Sequence, residues 1–172
     1  MIAPFWADVD TRGGAVSPSP GGTSTGSDLL WYDLDTANHV FTATWDDVGY
    51  YGYHTNLLNA FQLQLIQIGD SGDFDIVFNY DRIQWETGDA SGGSGGLGGS
   101  SARVGYSNGS GNSGTFLELP GSGVNGAFLD AGPHALISGS NVGVPGHWVF
   151  EVRNGLPPVT YRSIAPIISL LL

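Results

Sequence analysis

Residues 39–68, HVFTATWDDVGYYGYHTNLLNAFQLQLIQI, decide the fold. In the first half Phe41, Ala43 and Trp45 share one face, with Thr42 and Thr44 on the other; in the second, Phe61, Leu63 and Leu65 alternate with Gln62, Gln64 and Gln67. Side chains on a strand point to opposite faces in turn, so this spacing predicts two strands, each with a dry and a wet face. The β-branched and aromatic content favours strand over helix. An aromatic-rich bend joins the two, and the second strand is expected to slip phase at Leu65-Ile66.

Working outward, Gly69-Asp70-Ser71-Gly72 is a hairpin signal. It leads into DFDIVFNYDRIQWETG, where Phe74, Ile76, Phe78 and Tyr80 recur at a spacing of two against Asp73, Asp75, Val77 and Asn79. This is the cleanest alternating strand in the chain and the antiparallel partner expected for residues 61–68. Upstream, LLWYDL (29–34) is a strand with Leu30 and Tyr32 opposite Trp31 and Asp33. Further strands are predicted around residues 2–6, 102–106, 116–119 and 147–153, the last with Trp148, Phe150 and Val152 facing inward. Pro4 is tolerable at a strand start. Between the strands, residues 13–28, 88–101 and 108–112 are Gly, Ser, Thr, Pro and Asn almost throughout, the composition of turns and loops. The tract GDASGGSGGLGGSS (88–101) has the make-up of a flexible linker, but it lies between strands and is read as a long surface loop. The expectation is an all-β, antiparallel, sandwich-like single domain over residues 1–155 with long Gly-rich loops. Residues 156–172 follow as a Pro-containing apolar tail or edge strand.

Composition narrows the function. A chain of 172 residues and 18.0 kDa buries roughly two-thirds of its unfolded surface, enough for a core without a metal or a disulfide. There is no cysteine. Five arginines (12, 82, 103, 153 and 162) and no lysine stand against 16 acidic residues, a formal charge of −11. The cations are scattered singly, which disfavours nucleic acid and anionic membrane as partners. The final apolar run falls short of the roughly 18–20 residues that span a bilayer. The N-terminus lacks the basic and apolar regions of an export signal, so any such signal is expected outside this segment.

Catalytic patterns are absent. The histidines at 39, 54, 134 and 147 have no zinc-binding spacing, and no nucleophile elbow occurs. Residues 92–99 lack the Lys-Ser/Thr ending of a phosphate loop. Asp46, Asp47, Glu86 and Glu118 are the carboxylates available for a glycosidase pair, but solvated loop and strand-face acids are the expected reading of all four. No cofactor is expected. The candidate cation is Ca²⁺, at Asp8 and Asp10, since calcium accepts oxygen ligands gathered from flexible loops. The candidate ligand-binding cluster is Tyr50, Tyr51, Tyr53 and His54 at the bend, because exposed aromatic rings stack on sugars or anchor interfaces. The competing reading has Gly49 and Gly52 marking a bulge, with the tyrosines capping the core.

In order along the chain, IAPFWADVDTRG, FTATWDDVGYY, NAFQLQLI, FDIVFNYDRIQWETG, ARVGYSNG, LPGSG and WVFEVRNG resemble the nidogen-type extracellular (NIDO) domain over residues 2–155. The tract 88–111 resembles the bacterial branch of that family. The resemblance implies a secreted or surface-displayed module engaged in cell–matrix adhesion, with no catalytic residues and no cofactor. The expected function is therefore a non-enzymatic adhesion module of a larger cell-surface or matrix protein, with an extracellular protein or glycan as partner. Two alternatives stand beside it: self-assembly by strand addition through the tail, and a glycan-binding or glycan-hydrolysing domain.

Overall fold

The computed structural model describes residues 1–156 of the chain; the expected tail strand falls almost wholly outside them. Nine strands follow one another: β1 (Ile2–Trp6), β2 (Val9–Asp10), β3 (Leu29–Asp35), β4 (Val40–Tyr50), β5 (His54–Ile68), β6 (Asp73–Ile83), β7 (Arg103–Ser107), β8 (Phe116–Glu118) and β9 (His147–Val152). All pairings are antiparallel. A three-stranded sheet, β1-β7-β8, packs on a six-stranded one ordered β2-β4-β5-β6-β9, with β3 lying beside β2 along the same flank of β4. Among the described residues the only helical element is one 3₁₀ turn, Asp89–Ser91. The all-β sandwich expected from the alternation is the observed architecture.

The dry faces meet in one aromatic-rich core. Phe61, Leu63, Ile76, Phe78, Tyr80, Phe150 and Val152 come from the large sheet; Phe5, Val104 and Tyr106 come from the small one. Fully burying a side chain such as Phe78, which is 0% exposed, contributes about 1.5–3 kcal/mol. The layers are keyed by the T-shaped Phe5–Trp85 contact (ring centroids 5.7 Å apart) and by the Tyr80 hydroxyl, which donates to the Pro4 carbonyl at 2.6 Å. Phe128 is buried, beside Leu136.

Register departs from expectation in one place. Pairing runs unbroken through Leu65 and Ile66, opposite Phe41 and Val40 on one side and Ile76 and Asp75 on the other. Ile66 simply occupies the wet face. Irregularities lie instead beside the bend, between the Val48–Asn59 and Tyr50–His54 pairs, and at Ala60, which is flanked by two bulges. On β4, Trp45 pairs with Phe61 but Val48 with Asn59; on β6, Arg82 pairs with Ala60 but Tyr80 with Phe61. Each bulge inserts one residue, bends its strand and re-aims side chains. Apolar alternation does not report such an insertion when the extra residues, here among Asp46, Asp47 and Asp81, are polar.

The Gly-rich loop 88–101 is folded rather than coil-like. Its backbone closes on itself (Gly93 N–H to Gly88 C=O, 3.0 Å; Ser100 N–H to Ser91 C=O, 2.9 Å), and its Gly96 carbonyl accepts from the Glu86 and Thr87 N–H groups. Gly99 shows why glycine is needed. It sits at φ 54°, and a Cβ there would collide with the Ser91 carbonyl oxygen.

Candidate functional site

The bend between β4 and β5 separates the four residues expected there. Tyr50 is 1% exposed and belongs to the core, its hydroxyl donating to Asn56 Oδ1 at 3.1 Å. Tyr51 and Tyr53 are 45% and 62% exposed. His54 stacks on Tyr50 at 4.5 Å and meets Asp89 through Nε2 at 3.0 Å. The turn is tight, with Gly52 at φ 107° and Tyr53 at φ 63°, and Asp10 holds it. Asp10 accepts from the Gly52 and Tyr53 N–H groups at 3.2 and 3.0 Å and takes Arg12 bidentately, Nε at 2.7 Å and Nη2 at 2.6 Å. Arg12 beside it keeps the Asp10 carboxyl well below the usual carboxylate range, while Asp10 in turn raises Arg12. The guanidinium then lies 4.0 Å from the Tyr53 ring centroid and 5.6 Å from that of Tyr51, a cation–π arrangement.

Asp8 accepts from the Gly88 and Ser91 N–H groups at 2.7 and 3.0 Å, clipping the Gly-rich loop to the N-terminal segment. Asp8 and Asp10 thus use their oxygens on protein donors. Among the described residues no group of three or more His, Asp or Glu side chains is placed to hold a metal ion.

Three of the four carboxylates expected in solvent are buried. Asp46 and Asp47 are 4% and 0% exposed. Asp46 accepts from the backbone and hydroxyl of both Thr25 and Ser27, and Asp47 from Gly26 N–H at 3.0 Å and from Arg82 in a close ion pair. Burial alone would push Asp46 up; the donors of Ser27 and Thr25 overcome it and leave the carboxyl below its usual range. Glu86, 0% exposed, accepts from Gly126 and Phe128 N–H groups, both at 2.6 Å. Burial raises its pKa against those two bonds. Glu118 alone is exposed, paired with Arg103 at 2.9 Å. These acids are staples. Loops rich in glycine and serine present many unpaired N–H groups, and a buried carboxylate satisfies several at once.

The staples also border a groove of about 860 Å³ beside the two bulges. Residues 23–25 and 144–146 border it. One row of side chains crosses it in register: Trp31 on β3, Thr44 on β4, Gln62 on β5, Asn79 on β6 and His147 on β9. Cross-strand partners share a face of the sheet, so the row is a continuous band. It is hydrogen-bonded from Thr44 through to His147. Gln62 Nε2 donates to Thr44 Oγ1 at 2.8 Å, Asn79 Nδ2 to Gln62 Oε1 at 3.2 Å, and His147 Nδ1 lies 2.6 Å from Asn79 Oδ1. At the end of the row, the Trp31 indole N–H donates to Ser27 Oγ at 2.8 Å, and that hydroxyl donates to Asp46. Sequence reasoning saw the wet face of Thr and Gln but not the groove. Aligning Trp31 and His147 with it requires the register of five strands.

Comparison with known proteins identifies a family and relatives. The nidogen-like domain family matches residues 1–154. The chain is 38% identical over 166 residues to alpha-tectorin of Mus musculus and to that of Homo sapiens. It is 32% identical over 169 residues to nidogen of Drosophila melanogaster. In each case 88% of this chain is covered, but it spans only 7% of the length of alpha-tectorin and 11% of nidogen. No solved structure matches. With 154 residues matched in one continuous stretch, the chain belongs to the nidogen-like domain family.

Proposed function

We propose that the chain is a non-enzymatic interaction module of a larger extracellular matrix or cell-surface protein, acting in cell–matrix adhesion by contacting an extracellular protein or glycan. The observation that carries this reading is β3. Leu29, Leu30, Trp31, Tyr32 and Leu34 are between 41% and 80% exposed, and among the described residues the strand pairs only with β4. Leu30, Tyr32 and Leu34 recur on one face of the strand, and contiguous exposed apolar surface of this kind marks interaction sites. Membership of the family that alpha-tectorin and nidogen share supports a matrix setting, and the Gly-rich tract 88–111 favours a bacterial surface protein. No cofactor enters this reading, and the bonds that Asp46, Asp47 and Glu86 make to loop N–H groups support a structural role for them over acid–base chemistry.

The test is biolayer interferometry of the immobilised chain against purified matrix proteins and a glycan panel. Saturable binding is expected, reduced at least tenfold by the double substitution Trp31→Lys/Tyr32→Lys with the melting temperature unchanged. Absence of binding to every protein and glycan would overturn the reading. The open edge of β3 also supports a second reading, self-assembly by strand addition, since unpaired edge N–H and C=O groups template another strand.

A further inference from the structure

We propose that the groove over the Trp31–Thr44–Gln62–Asn79–His147 row is a binding site for an uncharged oligosaccharide. This rests on the reading of the chain as an interaction module and names one ligand class and one site for it.

Hydrogen-bond bookkeeping along the row identifies the chemistry. Asn79 donates through Nδ2 to both Gln62 Oε1 and Gln64 Oε1 (3.2 and 3.4 Å), so its Oδ1 is the acceptor facing His147. His147 Nδ1 therefore carries the proton, and in the neutral ring Nε2 keeps a lone pair. Gln62 Nε2 spends one hydrogen on Thr44 Oγ1 and retains a second, and the Thr44 hydroxyl retains its own proton. The row thus offers a ligand a fixed mixture of donors and an acceptor. That is what a sugar hydroxyl, itself donor and acceptor, requires. Because each side chain is already held by its neighbour, little rotamer freedom is lost on binding.

Charge and shape point the same way. Among the residues that line the groove there is no Arg or Lys, while Asp46 and Asp81 are both there; anionic ligands are repelled and a neutral one is not. Trp31, 54% exposed, has its ring anchored through Ser27 and so presents a fixed aromatic face for stacking. Five strands spaced about 4.8 Å apart give a band roughly 19 Å long, which suits several linked rings rather than one.

The experiment is a glycan array probed with the intact chain, followed by calorimetry on any neutral oligosaccharide that scores. Trp31→Ala is expected to weaken binding at least tenfold, and Gln62→Glu, which removes the amide donor at nearly constant shape, at least fivefold, both with unchanged melting temperature. Tyr32→Ala, on the opposite face of the same strand, leaves sugar binding unaltered. Absence of binding by every neutral glycan overturns the proposal, as does binding indifferent to Trp31→Ala. So does capture of cationic peptides that Asp81→Asn abolishes. Binding to an enzymatically deglycosylated matrix protein with no affinity for sugars would refute the groove assignment while leaving the module reading intact; binding to nothing would refute both.

Discussion

At one edge of the six-stranded sheet, Asn141 lends its side-chain amide to the backbone of β9, donating to the Val149 C=O at 2.6 Å and accepting from its N–H at 2.9 Å. Ser140 Oγ donates to the His147 carbonyl at 2.8 Å beside it. At the other edge, β3 carries a row of exposed apolar side chains and pairs, among the described residues, only with β4. An unpaired strand edge is a template for association, and proteins blunt it with caps, charges or covering loops. Here one edge is capped by an amide that imitates a strand. Among the described residues no strand pairs with the outer edge of β3, which carries Asp33 and Asp35, and the formal charge of −11 disfavours association of copies. The contrast teaches that exposure at β3 is not a general looseness of the sheet. Among the described residues, the same sheet is capped at Val149 on one edge and left unpaired along β3 on the other.

The contrast breaks most severely if β3 loses its support. Asp47 and Arg82 form a buried ion pair where the two bulges meet, and both hold the loop that delivers β3, Asp47 through Gly26 and Arg82 through the Ser17 carbonyl. Arg82→Met leaves a buried carboxylate without its counter-charge and is expected to cost about 3–5 kcal/mol, read as a shift of the chemical denaturation midpoint. An unchanged midpoint would show that the loop is held by other means. Opening the closed edge should cost less. Asn141→Ala strands the N–H and C=O of Val149 and is expected to lose about 1–3 kcal/mol, with new concentration-dependent association in light scattering as β9 becomes a second open edge. The smallest effect on stability belongs to β3 itself. Asp33→Asn, at an exposed position, should change stability by less than about 0.5 kcal/mol while increasing self-association over a concentration series. A strictly monomeric variant would remove strand addition from consideration and leave β3 to a different partner.

The candidate site was legible only in part, for reasons that particular residues make plain. Thr42, Thr44, Gln62 and Gln64 announce a wet face carrying amides and hydroxyls instead of charge. Trp31 and His147 are 116 positions apart and meet that face only because β3 and β9 pair into one register. The tyrosines at the bend showed the converse. Tyr50, Tyr51 and Tyr53 look equivalent in a list of residues, but a turn with positive φ at Gly52 and Tyr53 sends Tyr50 into the core and leaves the other two outside. Asp46, Asp47 and Glu86 read as solvated acids because nothing local shows that loops 13–28 and 121–146 fold back to place N–H donors on them.

By itself the sequence determined that this protein is an all-β sandwich, which residues of β5, β6 and β9 form its dry faces, and that β5 and β6 form a hairpin. Those features depend on a period of two and on local turn chemistry, both written within short stretches. Only the tertiary structure decided where the bulges fall, which carboxylates are buried, which edge stays open and which polar side chains line one groove. Each of these is a relation between segments distant in sequence, set when packing and backbone hydrogen bonding are satisfied together.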